Sequence, residues 1–575
     1  MTERPTGNGA GPGPLLVGGC SGFYGDRLAA MRELLEGGPL DVVTGDYLAE
    51  LTMLILGRDR LKDPALGYAR TFVTQVRDCL ALALDKGVRI VANAGGLNPA
   101  GLAARLGAVA SELGLSPRIA WVDGDDVAPR AAELGLGGAL TANAYLGAFG
   151  IARALSAGAD IVVTGRVTDA SVVVGPAIWR HGWSATSYDE LAGAVVAGHV
   201  IECGTQATGG NFSGFLDLPR DAEPLGFPVA EIAADGSCVI TKHPGTGGAV
   251  TVDTVTAQLM YEVQSQHYLG PDVTMDLGSL VLAPDGADRV RVSGARGYPP
   301  PEQLKVCVNE LGGFRNQLEF VLTGLDLEEK EAWLRAQLSP ALTASSVTWS
   351  RSRLPVVDAD TEEAASCLVR CTVKDASSDP VGKSFTAAAV ELALASYPGF
   401  TMTAPPGPAS PYGVYRPAYV DRSVVRHTVH LPDGSTEVVP DPPTGAVPVT
   451  EPTRVSGPPT GPTRRVPLGT LVHARSGDKG GDANVGLWVR QGERHVARVQ
   501  WLLGFVTPER IRALVPEAAS LDVEVFALEN LGGVNVLLHG LLGEGVAAST
   551  RFDPQAKGLG EWLRSRLVDV PEVLW

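Results

Sequence analysis

RIVANAGGLNPAGLAARLGAVASELG, residues 89–114, decides the fold. It opens on an apolar run without polar alternation, as a strand covered on both faces requires. A turn of glycines and asparagines follows, and then PAGLAARLGAVASELG carries helical patterning. Working outward, LLVGG (15–19), DVVTG (41–45), RIAWVDGDD (118–126) and DIVVTGRVTD (160–169) repeat the strand, and helical stretches lie between them. One of these is expected over 144–155. Repeated βα units predict a parallel sheet with helices on both faces, an α/β domain over 14–197.

The pattern changes after about residue 198. VAEIAADGSCVITK (229–242) reads as a hairpin around Asp235–Gly236. Further strands are expected over 273–297 and 364–375, with helices over 327–338 and 384–397. An α+β second lobe is therefore expected over 198–403. Residues 404–466 are dense in Pro, Gly and Thr and read as an extended linker, with a small hairpin in HTVHLPDGSTEVV. Residues 467–575 alternate strands and helices in an order that fits a small α+β, ferredoxin-like domain. Residues 1–13 carry no apolar h-region and read as a disordered tail.

Bulk properties exclude several classes. A chain of 575 residues exceeds a single core, so more than one domain is expected. The formal net charge of −17 argues against nucleic acid or anionic membrane as a partner. An anionic ligand then needs local backbone N–H groups or a few placed cations. Seven scattered cysteines without a CxxC pair point to a reducing compartment and to no structural zinc site. No apolar run is long enough for a membrane span. The expected location is the cytoplasm.

The chemistry concentrates at the strand ends, where open α/β sheets bind ligands. The first loop, GGCSGFYGD (18–26), supplies Gly19, Ser21, Gly22 and Tyr24 for close backbone approach to an anion. It matches neither GxGxxG nor a Walker loop, so no nucleotide-binding motif is present. Asp46, Glu50 and Asp169 are candidate acids and bases, with Asp123, Asp125 and Asp126 nearby in sequence. Asn93, Gly95 and Arg166 are candidate substrate contacts, Arg166 as a carboxylate or phosphate partner. GHVIECGTQATGGNF (198–212) adds His199, Glu202 and Cys203 as catalytic candidates, and Thr205 and Asn211 as binding residues. Lys242 lies in a second glycine-rich loop. In the last domain SGDKGGDAN (476–484) offers Asp478, Lys479 and Asn484. No residue is assigned to a metal.

GGCSGFYGD, GDYLAELTM, NAGGLNP, GADIVVTGRVTDAS and IECGTQATGGNF resemble the acyclic terpene utilization AtuA family. LVHARSGDKGGDANVGL resembles the small domain that accompanies it. The resemblance implies an enzyme of branched or terpenoid acyl-CoA or carboxylic acid metabolism, acting by hydration, elimination or hydrolysis. Its substrate would carry a CoA moiety, and the cofactor is unknown. Two alternatives stand beside it: a non-catalytic partner subunit of an acyl-CoA carboxylase-type complex, and a metal-dependent hydrolase or lyase. A homo-oligomer is expected.

Overall fold

The computed structural model describes residues 13–219, 223–352, 354–446 and 461–575. The expected tail, except Gly13, and linker residues 447–460 lie outside them.

The N-terminal strands are β1 (Leu15–Gly19), β2 (Val42–Gly45), β3 (Arg89–Ala92), β4 (Ile119–Asp123), β5 (Thr141–Ala144) and β6 (Ile161–Thr164). The helices are α1 (Ala30–Gly37), α2 (Glu50–Lys62), α3 (Arg70–Lys86), α4 (Pro99–Glu112), α5 (Phe149–Ser156), α6 (Ser171–His181) and α7 (Tyr188–Ile201). Strands β1, β2, β3, β6 and β4 lie side by side in that order, all parallel. Alternate residues face opposite ways. Val43, Ile90, Ala92, Ile161 and Val163 pack under α1, α3 and α4. Val42, Val91, Val162, Ala120 and Val122 pack under α5, α6 and α7. Each such fully buried valine or isoleucine contributes about 1.5–3 kcal/mol, which is why these runs carry no polar residue.

The connections create a topological switch point. The chain leaves β3 through α4, which packs over β4 and β6. It leaves β6 through α6, on the other face, which packs over β1 and β2. Neighbouring strands with departures in opposite directions leave a cleft at their carboxyl ends. Asn93 follows β3 and Arg166 follows β6, so both sit at that switch point. Asn98 starts α4 by accepting from the Gly101 N–H at 2.9 Å, with Pro99 in the first turn.

Strand β5 departs from this sheet. Where a helix was expected from residue 144, Thr141–Ala144 pairs antiparallel with residues 306–309, and the helix starts at Phe149. The expected hairpin, Pro228–Ile232 with Cys238–Lys242, forms and extends the main sheet antiparallel to β1, followed by Arg289–Ser293. Residues 198–309 therefore share a compact unit with the parallel strands. The second unit is Glu310–Val414 with Ala547–Pro554. It holds strands Ser346–Arg351 and Ser366–Asp375, the latter paired with residues 314–323, and helices Leu327–Leu338 and Lys383–Glu391 around Phe320, Leu334 and Phe385.

The Pro/Gly-rich stretch does more than connect. Thr428–His430 and Thr436–Val438 form the expected hairpin, and Thr428–His430 adds to the main sheet beside β4. It buries Val429 and Leu431, and His430 stacks on Trp121 at 4.5 Å. The C-terminal domain is a four-stranded antiparallel sheet in the order Val472–Lys479, Asp482–Val489, Gly533–Leu538, Val523–Leu528. Helices His495–Phe505 and Leu559–Ser565 cover it around Trp501, Leu502 and Leu563. Apart from Ala547–Pro554 it lies in the first compact unit, and its Trp488, Leu528 and Leu531 join the core of the parallel sheet. No helix among the described residues is long and apolar enough to cross a membrane.

Candidate functional site

The ends of β2, β3 and β6 converge. Asn93 Nδ2 donates to Asp46 Oδ1 at 2.5 Å, and Asn93 Oδ1 accepts from the Tyr47 N–H at 2.7 Å. A Cβ on Gly95 would lie 2.4 Å from the Thr164 carbonyl oxygen, so only glycine lets the β3 loop close against β6. Arg166 is 2% exposed. Its Nη1 meets Asp169 Oδ1 at 2.5 Å, and its guanidinium lies 4.1 Å from the Tyr145 ring centroid. Its backbone N–H donates to Asp125, which also accepts from Asn143 Nδ2 of β5. Asp125 thus pins the Arg166 loop to β5, and burial pushes its carboxyl up to about 7.

Helix α7 delivers the next pair. His199 Nδ1 is 3.0 Å from Glu202 Oε1, both side chains buried. His199 Nε2 and Glu202 Oε2 are buried without a hydrogen-bond partner among the described residues. The His199 ring lies 5.0 Å from Tyr268. Glu50 opens α2, where its Oε1 accepts from Tyr145 Oη at 3.2 Å. Lys305 Nζ is 3.8 Å from the same oxygen. From the C-terminal domain Lys479 Nζ approaches Glu262 Oε2 at 3.9 Å. Asp169, Glu50, Lys305 and Lys479 keep between 19 and 28% of their side-chain surface, so solvent reaches the cluster.

The electrostatics divide the carboxyls. Burial pushes Asp46 well up, reinforced by Asp169 and Glu202 against the pull of Arg166. Burial does the same to Glu202, with Asp169 and Glu262 adding to it. Both shifts favour the acid form. Glu50 goes the other way: burial opposes ionisation, but Lys305 and Arg166 together bring it down to about 2. Burial and Glu262 lift Asp478 to about 7. Burial holds His199 neutral, down to about 4. The Cys203 thiol is pushed well up by burial and by Glu202 and Glu262. Burial thus sets two carboxyls of the cluster toward the acid form, while neighbouring cations set a third toward the carboxylate.

Other candidates serve the scaffold. The Gly22 N–H donates to Asp26 at 2.8 Å, and a Cβ there would lie 2.5 Å from the Gly204 nitrogen. Gly19 meets the Ile201 carbonyl oxygen in the same way. Ser21 donates to the Phe23 carbonyl, and the Tyr24 carbonyl accepts from Thr71. The Thr205 carbonyl accepts from Thr208, and that of Asn211 from Arg475. Lys242 is tied to the Thr246 carbonyl and Asp288. Asn484 Oδ1 accepts from the Glu262 N–H at 2.8 Å. Asp123 pairs with His430, and Asp126 with Arg60. Tyr145, Glu262, Tyr268 and Lys305 were not singled out from the sequence. Only the alternating pattern around Lys305 and the polar end of TANAY hinted at them. Among the described residues no three His, Cys, Asp or Glu side chains are placed to hold one metal ion.

A doubly covered parallel sheet, with carboxyls and cations gathered at its switch point and a ferredoxin-like domain that brings Lys479 to Glu262, defines an α/β protein. The chain belongs to the acyclic terpene utilisation family AtuA, whose family model matches residues 15–431. The AtuA ferredoxin-like domain matches residues 466–569. A search of curated protein sequences finds no match. Membership points to a role in acyclic terpene utilisation.

Proposed function

We propose that the chain is an acid–base enzyme that adds water to, or eliminates it from, a branched or terpenoid acyl-CoA or carboxylic acid. The observation that carries this reading is the gathering of buried Asp46 and Glu202, whose carboxyls burial pushes toward the acid form, about the Asp169–Arg166 ion pair. In the hydration direction Glu202 gives its proton to the carbon next to the carbonyl. Asp169 takes a proton from water, whose oxygen bonds to the next carbon as the carbon–carbon π bond breaks. Solvent then returns the proton from Asp169 to Glu202, so the sum is the addition of water, and elimination runs the same steps backwards. Negative charge building on the carbonyl oxygen forms in the field of Arg166. His199, neutral and hydrogen-bonded to Glu202, holds that carboxyl in place. Hydrolysis through a thiol nucleophile fits less well, because Cys203 is kept as the thiol.

The test is exchange in D2O with branched 2,3-unsaturated and 3-hydroxy acyl thioesters. NMR should find deuterium on the carbon next to the carbonyl and interconversion of the two forms. Glu202→Gln should slow both by about 100-fold or more, with its circular dichroism unchanged. Wild-type protein that neither exchanges nor interconverts any of them refutes the reading.

A further inference from the structure

The geometry points to a subsite for a second anionic group of the substrate, a carboxylate or phosphate oxyanion, between Lys305 and Lys479. The inference rests on the acid–base reading for the substrate that carries the group. Lys305 is set by strand pairing: the Tyr145 N–H donates to the Lys305 carbonyl at 2.9 Å. Lys479 sits beside the two-glycine turn of a hairpin in which Lys479 faces Asp482. The two segments meet at one ring. Tyr415 lies 5.9 Å from Lys305 Nζ, and a Cβ on Gly480 would fall 2.5 Å from the same ring.

Both ammonium groups have donors to spare. An ammonium offers three N–H groups, and a closed hydrogen bond needs about 2.7–3.2 Å. Lys305 stands 3.8 Å from Glu50 and Lys479 stands 3.9 Å from Glu262, and neither Nζ makes a hydrogen bond among the described residues. The other cations of the site are engaged. Arg166 holds Asp169 at 2.5 Å, and Lys557 donates to Tyr261 Oη. Burial pushes Glu202, which lies in the field of Lys479, toward the acid form, so it offsets that lysine less than a carboxylate would. A chain of net charge −17 that gathers two under-bonded lysines in one cluster is arranged for an anion. An acyl chain with one carbonyl does not need both.

The probes are inorganic phosphate, glutarate and the monoanion butyrate, titrated calorimetrically into the full chain. Wild-type protein should bind phosphate or glutarate saturably and more tightly than butyrate. Lys305→Met and Lys479→Met should each weaken that binding by about tenfold or more, the worth of a charge-assisted hydrogen bond. Lys305→Arg, which keeps the charge, should retain it, as should Lys62→Met on the exposed side of α2. Preference for phosphate assigns a phosphate group of the substrate; preference for glutarate assigns a second carboxylate on its acyl part. Absence of saturable binding, or Met variants that bind as wild type, overturns the subsite. Glu202→Gln should still bind the anion, so loss of exchange with anion binding intact would sink the acid–base reading alone.

Discussion

Replacing Gly22 by alanine tests whether the first loop shapes the site by packing. The added Cβ would lie 2.5 Å from the Gly204 nitrogen, and 2.6 and 2.8 Å from Cys203 backbone carbons. All three are backbone atoms, so no rotamer change relieves them. Reaching the 3.4 Å at which ordinary contact begins requires a retreat of about 0.9 Å, and overpacking of this kind costs about 1–3 kcal/mol. The segment that must move begins next to Glu202, whose Oε1 is 3.0 Å from His199. Displacing a reacting group by about 1 Å lowers rate by about 100-fold. Gly22→Ala should therefore lose exchange activity on that order and melt at lower temperature. Gly107→Ala, with nothing within 4 Å of its Cβ, should be neutral or slightly stabilising. The assays are the D2O exchange rate and thermal denaturation. A Gly22→Ala protein with wild-type rate and melting temperature would refute the reasoning. The substitution keeps the N–H that donates to Asp26, so a loss cannot be ascribed to a missing backbone donor.

Asp46→Asn should trade activity for stability. The folded-state pKa of Asp46 is raised, so its stability contribution is full below the unfolded value of about 4 and is lost as pH rises through the folded value. An amide keeps the oxygen that accepts from Asn93 and cannot ionise. The variant should exceed wild type in melting temperature at pH 8, match it near pH 4, and lose exchange, read by calorimetry and NMR; equal pH dependence of the two proteins would contradict this. Asp478, lifted to about 7, changes charge across neutrality. Below that pH it is uncharged and no longer offsets the field of Lys479, so glutarate, whose own charge changes little over this range, should bind more tightly at pH 6 than at pH 8. Asp478→Asn should flatten that dependence in the same titration.

Much of this was legible from the chain because the strand runs are apolar on both faces and end in small polar residues. That pattern places Asp46, Asn93 and Arg166 at one edge of one sheet before any coordinate is known. What escaped has a common cause. Tyr145 and Lys305 meet through the pairing of β5 with residues 306–309, more than a hundred and fifty residues away, and nothing in TANAY specifies that partner. Glu262 comes from a short irregular stretch after helix Val252–Leu259 and Tyr268 from the strand His267–Leu269, both too short for a period to mark a burial direction. The glycines of the first loop were read as room for a ligand, yet Gly19 and Gly22 make room for the chain's own segment 201–204. Small residues report close approach without saying what approaches. The Pro/Gly-rich stretch misled in the opposite sense, since composition alone hid that Val429 and Leu431 bury on the sheet.

The C-terminal domain carries Lys479 and Asp478, so the site depends on how firmly that domain is seated. The seating is chemical as well as apolar. Asn484 and Asn535 are fully buried and bonded to each other, and each spends its remaining group across the seam. Asn484 Oδ1 accepts from the Glu262 N–H, and Asn535 Nδ2 donates to the Val263 carbonyl at 3.0 Å. Asn530 donates to the Leu277 and Leu280 carbonyls, and Trp488 Nε1 to Asp253. Each of these groups, left buried without its partner, would cost about 1–3 kcal/mol, so separation of the domain is opposed at several points at once. The bond to Glu262 does more. Glu262 holds a left-handed backbone, φ 57°, which costs a non-glycine residue about 1–2 kcal/mol and persists only where the surroundings enforce it. Asn484 is that enforcement, and the strained residue is the one whose carboxylate faces Lys479. One hairpin thus supplies both the cation and the amide that aims its partner, which ties the ferredoxin-like domain to the carboxyl–cation cluster by geometry rather than by proximity in the chain.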